Sequence, residues 1–357
     1  MVVIARRALG VAVLVLGLSA CSLTATEEDP PEATGSGEPG GTVVLVTHES
    51  FSLPKRLLRV FEQETGYDLE VRAAGDAGTL TTKLAVTADN PTGDVAFGVD
   101  NTFASRALDE GVFAEAGVDL PEGVDAYTVP GDDGARMVPV DEGHVCVNID
   151  RTWFADRDLA PPASLDDLAD PAYEGLFVTP SALSSSPGLA FLMTTVAAYG
   201  EDWPSYWEDL LANDVRVVDG WSDAYFTDFT AGGGGGDRPI VLSYDSSPAF
   251  TVPKGGGEST TAALLDTCFR QVEYAGVLAG ADNPEGARAL VEFLLSEDVQ
   301  ATLPESMFVF PVRDDVPLPA DWEEHAVQPE DPYVIDPADI AAQRDDWLEQ
   351  WRDIVTR

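Results

Sequence analysis

The sequence predicts an α/β fold divided into two lobes, and three observations carry that expectation. Short β-branched runs alternate with helical periodicities along most of the chain, the pattern of strand–helix–strand units in a mostly parallel sheet. About 337 residues remain once an N-terminal leader is set aside, a length that outgrows one hydrophobic core and suits two. From Val138 the extended segment PVDEGHVCVNID is long enough to carry the chain out of a first lobe and into a second.

The elements follow in order. Residues 42–47 (TVVLVT) form a buried-strand run, and Leu57, Leu58 and Phe61 fall at helical spacing before Thr65-Gly66. A strand at 69–72, a helix at 79–88, the Asn90-Pro91 break and a strand at 94–99 (DVAFGV) complete the first repeats. In the second lobe the expectations are a short helix at 163–168, a strand at 176–179 and a helix at 187–199. Strands at 215–218 and 240–243 follow. Gly232 to Gly236, five glycines in a row without the Lys-Ser/Thr of a phosphate loop, reads as a floppy surface connection. A strand at 269–277 and a helix at 285–295 come next. The terminal helix is marked by Asp336 at the N-cap, Pro337 in the first turn and the apolar set Ile340, Trp347, Leu348, Trp351, Ile354 and Val355. The expected boundaries are 42–140 with 269–312 for lobe 1 and 141–268 with 313–357 for lobe 2.

The first residues address the protein. Arg6 and Arg7 precede an apolar run from Ala8 to Leu18 that closes on Leu18-Ser19-Ala20-Cys21. That is the layout of a lipoprotein signal peptide at 1–20, with Cys21 as the lipidation site. The run is shorter than the roughly 20 residues that cross a bilayer, so the expectation is membrane attachment by lipid anchor only. Residues 21–41, rich in Pro, Gly, Glu and Thr, read as a flexible tether.

Formal net charge is −43, with 20 Lys and Arg against 63 Asp and Glu. Nothing here could neutralise phosphates along a duplex, so nucleic acid is excluded as a partner. The field would attract cations and repel anions at moderate salt, although screening shortens to about 3 Å at 1 M. A competing reading takes the acidity as a solubility adaptation to a saline habitat, and the two are not exclusive. After Cys21 only Cys146 and Cys268 remain, and in an oxidising compartment two such thiols suggest a disulfide, with two buried free thiols as the alternative.

Catalytic patterns are missing. The three histidines (His48, His144, His325) are not in metalloprotease spacing, and no G-x-S-x-G, P-loop or dinucleotide fingerprint occurs. The expectation is a protein that is not an enzyme and needs neither cofactor nor metal. What the chain does have is aromatic residues in small polar loops at expected strand ends: Gly220-Trp221-Ser222-Asp223-Ala224-Tyr225, and Ser243-Tyr244-Asp245-Ser246-Ser247-Pro248-Ala249-Phe250. In an open α/β sheet ligands gather beyond the carboxyl ends of the strands.

With THESF (47–51), DVAFGVDN (94–101), SSSPGLA (184–190), DGWSDAYF (219–226), LSYDSSPAF (242–250), FPV (310–312) and the terminal IAAQRDDWLEQWRDIVTR (340–357), the chain resembles the thiamine-binding solute receptors of bacterial ABC importers. The resemblance implies a two-lobed periplasmic-binding-protein fold (type II-like) with the ligand cleft between the lobes. It also implies a monomer that captures thiamine or a thiamine phosphate and delivers it to an ABC transporter permease. Carried over, Trp221 and Tyr244 are aromatic walls, Asp76 is a ligand-facing acid and Ser185 is a hydroxyl at a helix start. His48, Phe250 and Phe308 stand where better-known members have Tyr, Tyr and Trp, so the aromatic box keeps its rings with altered chemistry. A polyamine or ferric iron is the alternative ligand for the same fold. Polyamine sites also pair aromatics with carboxylates, whereas iron receptors present adjacent tyrosines and here Tyr244 is followed by Asp245. A surface adhesion or scaffold module using the acidic face is the reading from another class.

Overall fold

The computed structural model describes residues 40–357; the expected signal peptide, Cys21 and the expected tether up to residue 39 lie outside the described residues. The chain begins with β1 (Thr42–Thr47), α1 (Lys55–Thr65), β2 (Asp68–Ala73), α2 (Ala77–Val86), β3 (Val95–Asp100) and α3 (Ala104–Asp109). Leu57 and Phe61, four apart, give α1 a single buried stripe. The helix stops at Gly66, which takes a left-handed cap with φ 76°. β2, β1 and β3 lie side by side and parallel, as βαβ connections require.

The 13-residue β4 (Val138–Asp150) leads to α4 (Arg151–Ala155), β5 (Phe177–Pro180), α5 (Ser186–Tyr199), α6 (Trp203–Ala212), β6 (Arg216–Val218), β7 (Ile240–Tyr244) and β8 (Thr261–Ala263). β9 (Phe269–Val277) then returns to the first strands. α7 (Pro284–Leu294), α8 (Glu297–Gln300), α9 (Leu303–Met307), β10 (Phe310–Pro311), α10 (Ala320–His325) and α11 (Pro337–Val355) complete the fold.

The strands form one sheet in the order β2-β1-β3-β9-β4-β7-β5-β6, with β8 and β10 also paired to β4. It is mixed, where the sequence led us to expect mostly parallel pairing. Every antiparallel pair involves β4 or β9. The reason is topological: these two strands are not steps in a βαβ repeat but connectors running between the halves. The first half of β4 pairs with β9 and the second half with β7 and β8, so all 13 residues are buried. A disulfide joins Cys146 of β4 to Cys268, immediately before β9, with the α-carbons 4.2 Å apart. Its sequence separation of 122 residues corresponds to about 5 kcal/mol in the chain-entropy model.

Two large apolar cores flank the sheet. One gathers Val43, Leu45, Phe61, Phe97, Val277 and Leu290 beneath α1 and α7. The other holds Phe154, Phe191, Trp207 and Trp351 and continues to Leu80 and Phe103. α11 packs on α6, where Trp351 meets Trp207 edge to face at 5.4 Å, and it also touches α3. Its first turn is capped by Asp336, whose carboxylate accepts the Ala338 N–H at 2.8 Å.

Two local expectations change. The helix expected at 163–168 is a 3₁₀ turn at Asp166–Ala169, because the Asp167 carboxylate accepts the N–H groups of Ala163 and Ser164 and folds the chain tightly. The glycine run is not a floppy connection. A β-carbon at Gly232, Gly234 or Gly236 would collide with the backbone carbonyls of Tyr225, Phe226 or Asp228, while Gly233 and Gly235 have φ of 87° and 80°. The run lies flush against the π-helical turn at Asp223–Asp228, and only glycine permits both the contact and the dihedrals.

Candidate ligand-binding site

A cavity opens where β1, β6 and β7 end and α2 and α5 begin, the position that the open-sheet rule assigns to ligands. His48, Asp76, Trp221, Tyr244, Ser186 and Glu273 line it, with Ser50, Pro187, Met307 and Val309. Its open volume is about 40 Å³, room for a few waters at most. On the other side of Trp221 lies a second, aromatic cavity of about 210 Å³, walled by Tyr225, Phe226, Phe250 and Phe308.

Asp76 is the N-cap of α2, its Oδ1 accepting the Ala77 N–H at 2.6 Å. The same carboxylate reaches across the cleft. Oδ2 accepts the Trp221 N–H at 3.0 Å and Oδ1 the Ser186 N–H, at the start of α5, at 3.4 Å. The Thr79 N–H also donates to the Ser184 carbonyl at 3.2 Å, so the α2 N-terminus is tied to the facing loop twice.

Trp221 is buried, with its indole N–H donating to Ser243 at 3.0 Å. Tyr225 stacks beside it at 5.2 Å and 20° between planes, and Tyr244 meets it at 6.2 Å and 65°. The Tyr244 hydroxyl donates to Gln271 at 3.3 Å, and burial first, then Glu273, pushes its pKa up, so it stays a neutral donor. Phe308 holds φ 67°, a left-handed conformation that costs a bulky residue energy and that the surroundings must enforce. Ser246 donates to the Phe308 carbonyl at 2.5 Å, which holds that turn and keeps the ring 3.8 Å from Phe250 and 6.5 Å from Trp221.

The acidic side of the cavity is built on the crossing strands. Glu273 of β9 pairs in register with Asp100 of β3 on one side and Asp141 of β4 on the other, and all three are buried. Burial, against its hydrogen bonds from Thr102, pushes the Asp100 pKa up to about 7. Asp141, whose two oxygens find no hydrogen-bond partner, is raised well above its usual value by burial and by Glu273 and Glu142. His48 faces Glu273, Nε2 to Oε2 3.4 Å, and Gly98 leaves space for the ring where any β-carbon would strike it. Burial opposes the imidazolium, but Glu273, then Asp76 and Glu49, outweigh it and raise the His48 pKa. The Ser50 N–H donates to Nδ1 at 3.2 Å, which leaves Nε2 as the nitrogen facing Glu273.

The structure brings His48, Asp76, Trp221 and Tyr244 into one hollow, and Phe250 and Phe308 into the adjoining one. Ser185 is at neither wall: it is the α5 N-cap, fully buried, with its Oγ unpartnered. Its neighbour Ser186 reaches the cavity instead, because the helix start turns the next side chain toward the cleft, where its Oγ donates to Asp100. Glu273 escaped the sequence reading. A single acid within the apolar strand FRQVEYAGV was the available signal.

Fold and cleft define a protein of the two-lobed periplasmic-binding class. Residues 57–329 match the model of the family of bacterial extracellular solute-binding proteins, and the chain belongs to that family. It is a substrate-binding protein with a transport role outside the cytoplasm. It is 31% identical over 321 residues to the thiamine-binding periplasmic protein of Escherichia coli (strain K12), covering 88% of this chain and 94% of that one. A solved periplasmic thiamin binding protein superposes with a TM-score of 0.78 at 29% identity, over 88% of this chain and 96% of the other. Iron uptake protein A2 of Synechocystis sp. is 30% identical over 190 residues, 47% of this chain and 52% of its own.

Proposed function

We propose that this protein captures thiamine, or a thiamine phosphate, and delivers it to an ABC transporter permease while held to the membrane by a lipid on Cys21. It acts as a monomer whose lobes, 42–140 with 269–312 and 141–268 with 313–357, part and close about β4 and β9. The observation that carries this reading is that aromatic Trp221 and Tyr244 share one cavity with the carboxylates of Asp76 and Glu273. Thiamine joins a cationic thiazolium to a flat aminopyrimidine, and a cation over an indole gains about 0.5 to 2 kcal/mol as it is desolvated. The carboxylates supply charge-assisted partners for the amine and the positive ring.

A two-ring vitamin does not fit 40 Å³, so entry requires the lobes to separate at the Asp76–Trp221 and Thr79–Ser184 contacts. The ligand then favours the closed state by its differential affinity for it. Ferric iron gains no support from the site, since Asp245, after Tyr244, is buried and bound to His144 Nδ1 at 2.8 Å. Calorimetry and tryptophan quenching with thiamine test the reading: saturable heat and quenching are expected, and silence at micromolar ligand dismisses it. Trp221→Ala should weaken binding at least tenfold, about 1.4 kcal/mol, with the fold intact.

A further inference from the structure

The cavity holds one basic side chain, and that side chain can titrate. No lysine or arginine is among the lining residues, and His48 shares the wall with Asp76 and Glu273. Its ring is buried, with Nε2 3.4 Å from the Glu273 carboxylate and the ring centre 5.5 Å from that of Phe97. The Ser50 N–H donates to Nδ1 at 3.2 Å. An imidazolium carries a proton on each nitrogen and cannot accept that bond. The closed cleft therefore seats His48 as the neutral ring, with its one N–H on Nε2 toward Glu273.

The surrounding charges favour the other form. Burial is the largest influence on the His48 pKa and lowers it, but Glu273 from β9, Asp76 at the head of α2 and the adjacent Glu49 together raise it. Beside Glu273 stand Asp100 of β3 and Asp141 of β4, both buried, and Asp219 and Asp223 of the facing loop act on Glu49. Tyr244 of β7, on the same cavity, is held neutral by burial first and then Glu273. On the lobe boundaries proposed above, His48, Glu49, Asp76 and Glu273 travel together, while Trp221, Tyr244, Ser186 and Pro187 of the same cavity belong to the other lobe. Opening the cleft admits water to the ring and leaves its three carboxylates in place, so the open form favours the imidazolium. A cation docking between the lobes then meets a positive ring at the same carboxylate. Repulsion and renewed burial both expel the ring's proton.

We propose that His48 is an exchangeable counter-ion: charged in the open cleft, it balances Glu273 until a cationic ligand takes over, and it releases its proton as the lobes close. This rests on the thiamine reading above and adds to it a coupling between capture and pH. The proton leaves Nδ1, whose lone pair then accepts the Ser50 N–H, and solvent buffer takes it up. Acid therefore competes with the ligand, and affinity falls as pH falls through the His48 pKa. The thiazolium charge is permanent, so this dependence belongs to the protein.

The test is calorimetric titration of the purified protein with thiamine in phosphate and in Tris, buffers of low and high ionisation enthalpy, at one neutral pH. Released protons make the heat more exothermic in Tris, and affinity should fall about tenfold from about pH 8 to about pH 6. His48→Gln keeps a donor toward Glu273 but cannot titrate, so its affinity should be flat over that range and its heats equal in the two buffers. Asp100, with a pKa of about 7, is the other nearby group that titrates near neutrality. A buffer difference that survives His48→Gln overturns the proposal and assigns the proton there. Proton NMR of the unaltered protein is the second measurement, since the chain has only three histidines. One imidazole should titrate above the ordinary 6.5 without ligand and below it with thiamine bound. Equal heats in the two buffers, or no imidazole whose titration thiamine shifts, overturns the proposal. Failure to bind thiamine at all would instead overturn the reading on which it rests.

Discussion

If the cavity takes a cation as proposed, Glu273 is the residue on which function and stability pull in opposite directions. It stands between Asp100 and Asp141 in the sheet, with both neighbours held toward their protonated forms. Such crowding is tolerable if the carboxylate meets a cationic ligand, and costly otherwise. Glu273→Gln should therefore weaken thiamine binding at least tenfold and at the same time raise the melting temperature, read by calorimetry and thermal denaturation on one preparation. A fall in both would refute the account. The pH dependence has a fixed sign. Asp100's folded pKa, about 7, lies above the ordinary 3.8, so the folded state holds the proton longer. The resulting contribution to stability is complete below about pH 4 and lost as pH rises toward 7, a slope that Glu273→Gln should flatten. The aromatic members of the site were legible in sequence, since strand-end turns carrying Trp221 and Tyr244 are local patterns. Glu273 was not, because its importance depends on which strands flank it.

Among the elements, the segment from Trp221 to Gly236 shows how local composition can mislead. Five consecutive glycines read as slack, yet in the structure they lie against the turn that carries Trp221 and Tyr225. Gly234→Ala should destabilise the protein by about 1–3 kcal/mol, the cost of forcing a methyl into a packed contact, and should weaken ligand binding through Trp221. Gly255→Ala, where nothing lies within 4 Å and φ is negative or extended, is the neutral control. Urea denaturation of the two variants decides; equal midpoints would restore the floppy reading. The contrast with α11 is instructive. Its cap and its apolar stripe are written in neighbouring residues, whereas the partner of the glycine run is a set of carbonyls on another element.

At the scale of the molecule, β4 and β9 pair with each other at the middle of the sheet, β9 meeting β3 on one side and β4 meeting β7 on the other. The disulfide sits at the end of the β4–β9 pairing, beside Val145 and Phe269. Replacing both Cys146 and Cys268 by Ser should cost about 2–5 kcal/mol of unfolding free energy, measured in urea. Thiamine should still bind, since the backbone pairing that positions Glu273 survives. Loss of binding with stability unchanged would show the bridge to be part of the site and not a brace.

Strands β1 to β7 and β9, the helices α1, α2, α5 and α7, the terminal helix and the clustering of rings at strand ends follow from sequence alone, whereas α6 and the shorter helices did not show there. Period, capping and turn chemistry act within a few residues, and the chain carries them openly. The mixed sheet, the Glu273 row between Asp100 and Asp141 and the displacement of Ser185 by Ser186 were decided by tertiary structure. So was the use of Asp76 to occupy the head of α5. Each depends on register or on approach between residues far apart in the chain, and one residue's shift in register moves a side chain to the opposite face.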